Sequence, residues 1–256
     1  MVNDLLLLSG IGMMTLGVLI PIYYWRKEKV PVKYFGFGAA VWLLAISIKA
    51  MMDLTITNTF ISYFSGSVAV IVYGLYLGLR TGFLESGLTY FAAIKTKLKN
   101  MKFKQATAFG IGFGCFEAVA IGFFSFINIL AFVLAPELIN TIPQDQQNVL
   151  ISQLNQPTWM VGVAIIERFA TIAIHVFTTI LVFYAIKSKD KKYLFISIGF
   201  KALLDGMIPV ISTYINPTTL IEWYSIEFII ISLGFIAYFG YRQIKELWMK
   251  EYGKEN

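Results

Sequence analysis

Seven stretches of mainly apolar residues, at roughly 5–25, 34–52, 61–94, 105–135, 158–187, 192–214 and 219–242, dominate this chain. Each matches or exceeds the roughly 20 residues a helix needs to cross the hydrocarbon core of a bilayer. Lipid offers no partner to a free backbone amide, so runs of this length must form helices that satisfy their own hydrogen bonds. The expectation is an all-α, polytopic transmembrane bundle of about seven to eight helices, some broken or over-long, forming a single integral membrane domain over residues 1–256. Composition agrees, with 57% hydrophobic and 14% charged residues, where soluble domains carry roughly 25% charged. A water-soluble enzyme and a disordered chain are both excluded. The single cysteine, Cys115, permits neither an intramolecular disulfide nor a cysteine-cluster zinc site.

A net charge of +6 would suit nucleic acid, but the basic residues sit in short clusters between the apolar runs. The clusters are Arg26, Lys27, Lys29 and Lys33; Lys95, Lys97, Lys99, Lys102 and Lys104; Lys187, Lys189, Lys191 and Lys192; and Arg242, Lys245, Lys250 and Lys254. The alternate connectors are assigned Asp4, Asp53, Glu137 with Asp145, and Glu222 with Glu227, and carry no Lys or Arg. This is the positive-inside pattern, so nucleic acid is rejected as a partner, the N-terminus is expected outside the cell membrane and the C-terminus in the cytoplasm. The first run lacks a basic leader and a small-residue cleavage site, and reads as a retained anchor. Trp25, Tyr34, Trp159, Trp223 and Trp248, near span ends, read as interfacial anchors. The connector 136–157 has the pattern of a short interfacial helix over the mouth of a cavity.

Residues 61–94 as one straight helix would measure about 50 Å, well beyond a core of about 30 Å. Breaks are therefore expected at Gly78 and Gly82, which flank Arg80, and at Gly110, Gly112 and Gly114 in the fourth run. The latter glycines lack the spacing and preceding strand of a dinucleotide-binding turn.

Ionisable side chains at membrane depth cost about 2.5–3.5 kcal/mol each on insertion scales, and so mark candidate sites. Counting inward from the basic clusters, Glu85, Glu117, His175, Lys201 and Asp205 all fall about 14–20 Å deep, on four different runs. Arg168 and His175, seven residues apart, share a helix face with Thr171 and Thr178, while Glu167 lies further out. Lys201 and Asp205, four apart, can pair along their own helix, and Arg168 can pair with Glu167 or Glu117. These charges can serve merely to neutralise each other and join helices, and His175 can be an ordinary core histidine. Glu117 has no cation within four residues to neutralise it. Beside His175 it would supply a general base and a hydrogen-bond donor for an oxyanion. A metal centre is not expected, since the chain has one histidine and no H-E-x-x-H, and no other cofactor is indicated.

The segments G-F-G-C-F-E-A at 112–118, E-R-F-A-T-I-A-I-H at 167–175 and K-A-L-L-D at 201–205 resemble the YhfC family of intramembrane peptidases. That family is similar to the CAAX-type prenyl-protein proteases, the bacteriocin-processing proteases and PrsW. The resemblance runs in order from about residue 60 to 210. It implies hydrolysis of a transmembrane or membrane-associated peptide by a glutamate-activated water in a membrane cavity. Glu85, Glu117, His175, Asp205 and Lys201 would then be the catalytic group, with Glu167 and Arg168 orienting it. Four positions depart from the pattern: Ser86 stands for a second glutamate, Thr89 for an arginine, and Phe113 and Lys201 for histidines. The expectation is therefore either a divergent glutamic peptidase or a non-catalytic relative that binds such a peptide. A proton-coupled transporter, with midplane charges around a solute site, is the alternative from another class. Nothing in the sequence sets an oligomeric state.

Overall fold

The computed structural model describes residues 2–214 and 220–253, with the backbone alone for Asp145 and residues 220–224. Lys254, and the side chains of Asp145, Glu222 and Trp223, all assigned places above, lie outside the described residues. Among the described residues there are helices and no strands. We label them α1 (Asp4–Glu28), α2 (Lys33–Ile61), α3 (Gly66–Lys95), α4 (Phe103–Leu134), α5 (Gln144–Leu154), α6 (Met160–Ser188), α7 (Lys192–Tyr214) and α8 (Leu220–Tyr252). All but α5 are long and apolar enough to cross a membrane, which makes this a multi-pass membrane protein, with the expected seven spans among the described residues.

Helix α6 is the hub. Of its most apolar stretch 78% is buried, against 11–28% in the other six spans. It packs against α1, α4, α7 and α8, while α1 and α2 flank α4, and α3 lies along α7. Large apolar side chains such as Leu19, Leu44, Leu75, Phe124, Phe169 and Phe235 point outward from the bundle, as lipid-facing surfaces require. Helix α5 forms in the connector between α4 and α6, and its Leu150, Gln153 and Leu154 line a cavity of about 580 Å³.

Several boundaries differ from those read in the sequence. Helix α2 does not stop at residue 52 but passes through one wide π turn, Asp53–Thr57, and continues to Ile61. Asp53 is therefore not in a connector; its carboxylate pairs with Arg80 and accepts from Thr57. Glu227 likewise lies within α8. The expected break in the third run exists, as a π turn at Gly82–Ser86. The fourth run does not break: α4 is one helix of 32 residues, and its glycines serve contact instead. Trp248 is no interfacial anchor, being buried against Phe103, Tyr184 and Tyr252 with Lys187 over its ring. Trp25 and Trp159 keep exposed rings at span ends.

Two sets of glycines set the helix spacing. On α3, Gly74, Gly78 and Gly82 recur every fourth residue, so they form one stripe facing α7. A Cβ on them would stand 2.6, 2.2 and 2.4 Å from the carbonyl oxygens of Gly206, Ala202 and Ile198. Only glycine allows that approach, the close backbone contact by which membrane helices gain dispersion energy. On α4, a Cβ at Gly112 would meet the Phe35 carbonyl of α2 at 2.1 Å, and one at Gly114 would press on the His175 Cβ of α6 at 3.0 Å.

Gly78→Val should therefore destabilise the protein by at least about 1–3 kcal/mol, the usual cost of overpacking. Gly36→Ala, where nothing lies within 4 Å of the added carbon, should gain about 0.5–1 kcal/mol of helix propensity. Thermal unfolding of the two variants in detergent, beside the parent, checks both signs.

Candidate intramembrane site

The close α3–α7 and α4–α6 contacts bring the polar side chains of five helices to one place. Glu85 emerges from the π turn of α3, where one extra residue per turn changes the direction in which side chains point. Its Oε1 accepts from Lys49 Nζ of α2 at 2.7 Å and its Oε2 from Lys201 Nζ of α7 at 2.7 Å. Glu117 of α4 accepts from Trp42 Nε1 of α2 at 2.7 Å through Oε2 and from Arg168 Nη1 of α6 at 3.2 Å through Oε1. His175 lies between the two carboxylates, with Nε2 3.0 Å from Glu117 Oε2 and Nδ1 3.8 Å from Glu85 Oε2. Neither contact has hydrogen-bond alignment, so both buried ring nitrogens remain unpartnered.

The surroundings fix these groups. Arg168 closes a second ion pair with its neighbour Glu167, which also accepts from Thr171. Thr81 donates to Asp205 at 2.5 Å. Ser197 donates to the Thr178 carbonyl, so Ser86 must be the donor of the 2.8 Å Ser86–Ser197 bond, which ties α3 to α7. The Phe113 ring is 5.0 Å from the His175 ring, and the Lys201 ammonium sits over its face at 4.2 Å. That distance suits a cation–π contact in a desolvated setting.

Glu85, Glu117, His175, Lys201, Asp205, Glu167 and Arg168 all line one cavity of about 400 Å³. The sequence-level pairing of Lys201 with Asp205 is corrected: the helix spacing permits it, but Lys201 turns to Glu85 and Asp205 to Thr81. Arg168 takes both of its candidate partners, so Glu117, with no cation within four residues on its own helix, receives one from α6. Lys49 and Trp42, also on the wall, are absent from the sequence reading. A span ended at residue 52 puts Lys49 within a turn of the water; the extension of α2 to Ile61 moves it deep inside. Its isolation in an apolar run was the available signal.

Seven lipid-facing helices closed around titratable side chains define a class, membrane proteins with a reaction or binding chamber inside the bilayer. The family model described as YhfC intramembrane metalloprotease matches residues 12–231, and the chain belongs to that family, one of intramembrane proteases. No curated protein and no solved structure gives a significant match.

The family description implies a metal, and the donor set does not suit one. A divalent ion needs several lone pairs converging on one point. Here both Glu85 oxygens accept from ammonium groups, both Glu117 oxygens accept from Trp42 and Arg168, and a single imidazole remains. Among the described residues no group of three or more His, Cys, Asp or Glu could hold an ion.

Removing one partner of a buried pair typically costs about 3–5 kcal/mol, because the other charge is left uncompensated. Glu85→Gln should lower stability by an amount of that order, because Lys49 and Lys201 both lose their carboxylate, and Lys201→Met should cost less, because Lys49 still serves Glu85. A double-mutant cycle from unfolding in detergent measures the coupling.

Proposed function

We propose that the cavity accepts an unwound stretch of a transmembrane or membrane-associated peptide and hydrolyses it with a water activated by Glu117. The observation that carries this reading is the contrast between the two central carboxylates. Glu117 keeps 14% of its side chain exposed, on the cavity wall beside His175, whereas Glu85 keeps 3%. A base must reach water, so Glu117 is the base and Glu85 the charge that holds its surroundings. Glu117 removes a proton from water as the water oxygen bonds to the scissile carbonyl carbon. The C–N bond then breaks, and the proton passes by way of His175 to the leaving amine. Lys49, on the cavity wall, faces the developing oxyanion; Arg168 and Glu167 hold Glu117, and Lys201 and Asp205 hold Glu85 and α3.

A second reading, a relative that holds the peptide without cutting it, is favoured by one observation: both Glu117 oxygens already accept hydrogen bonds. Cleavage of a helical reporter peptide in proteoliposomes separates the two. Glu117→Gln and His175→Ala should each reduce cleavage at least about 100-fold, the scale of a lost acid–base group, in variants that remain folded by helical circular dichroism. Cross-linking of the reporter without any cleavage by the parent chain would leave only the holding role. Solute uptake driven by a proton gradient would instead favour a carrier.

The charge pattern supports an outside N-terminus and a cytoplasmic C-terminus. Cys115 is buried, so a cysteine introduced as Asp4→Cys should react with an impermeant maleimide in intact cells, and one introduced as Lys250→Cys should not.

A further inference from the structure

We infer that in this chain the paired ammonium groups of Lys49 and Lys201 stand in place of a divalent metal ion, so the site is complete without one. This inference rests on the clasp around Glu85 and does not depend on whether the cavity cleaves peptides.

The first support is charge. Two ammonium groups, from α2 and α7, approach opposite oxygens of one carboxylate on α3 at 2.7 Å each. Together they bring the two positive charges that a divalent ion would bring, and they join the same helices that shared ligation would join. Four carboxylates line the cavity, those of Glu85, Glu117, Glu167 and Asp205, beside three permanent cations, Lys49, Lys201 and Arg168. The carboxylates are balanced to within one charge by side chains alone.

The second support is geometry. Ammonium hydrogens point at the carboxylate lone pairs that a metal would need, and the Lys201 and Glu85 side chains are each 3% exposed. Lys201 also has the Phe113 ring at 4.2 Å, an apolar face where an ion would require a ligand or water. The replacements fit each other: a lysine over a phenylalanine is a stable pair, whereas a metal over either is not. His175 is the one imidazole in the group, and neither of its nitrogens has a hydrogen-bond partner.

The third support is that the arrangement shows what a metal site would need here. Phe113 lies 5.0 Å from His175 between ring centroids and 4.2 Å from the Lys201 ammonium. Imidazoles at positions 113 and 201 would therefore converge with His175 and Glu85, giving three nitrogens and a carboxylate of the type that binds zinc.

Metal analysis of the purified full chain, with thermal unfolding before and after chelator and with added zinc, tests this. The parent should carry far less than one divalent ion per chain, and its unfolding temperature should move with neither chelator nor zinc. A tightly held ion near one per chain, whose removal lowers that temperature, would overturn the inference. The Phe113→His/Lys201→His double variant should take up one zinc per chain and become sensitive to chelator. If it folds, by helical circular dichroism and monodisperse elution, yet takes up no zinc, positions 113 and 201 do not occupy ligand positions and the inference fails. The parent measurement decides the question by itself if the double variant does not fold.

Discussion

A carboxylate among acyl chains is tolerated when a cation arrives with it, and the architecture of this protein follows from that requirement. Glu85 is sealed inside the bundle with two lysines, and Glu117, on the cavity wall, is held by an arginine and an indole N–H. None of these partners lies on the helix of the carboxylate it serves. Neutralisation therefore also fixes helix rotation and register: α2, α3 and α7 must bring Lys49, Glu85 and Lys201 together, and α4 and α6 must bring Glu117 to Arg168. Attraction is strong in a low-dielectric interior, but desolvation nearly offsets it, so the clasp serves uniqueness of packing more than net stability.

Charges at such distances need backbones that come close, and the glycine stripes supply this. The α3 stripe seats Gly78 against the Ala202 carbonyl, one residue from Lys201, and Gly82 against Ile198, so the segment carrying Glu85 rests on the segment carrying its cation. Gly114 does the same for α4 and α6, placing Glu117 beside His175. Small residues on the helix faces and charged residues one turn away are thus parts of one device.

The four positions read in the sequence as departures from the family pattern form a consistent set in the structure. Ser86 donates to Ser197 and stitches two helices, Thr89 closes back on the Glu85 carbonyl, and Phe113 carries the Lys201 ammonium on its face. Each of the four positions has a partner, and two of them are partners of each other. The resulting chamber sets the partly exposed Glu117 carboxylate beside the His175 imidazole, with cations around it.

Hydrophobic run length by itself determined the membrane class and the seven crossings, because a bilayer has one thickness and leaves a backbone few ways to cross it. Depth counting also placed Glu85, Glu117, His175, Lys201 and Asp205 at a common level, since rise per residue is nearly constant in a helix. Pairing was another matter. Spacing along one helix offered Lys201 to Asp205, while the structure gave it to Glu85, 116 positions away. Lys49 and Trp42 entered the chamber only once α2 was seen to extend through its π turn to Ile61. Local periodicity states which face a side chain occupies; which neighbour it meets there depends on how closely and at what angle two helices pack, and that is decided between segments distant in the chain.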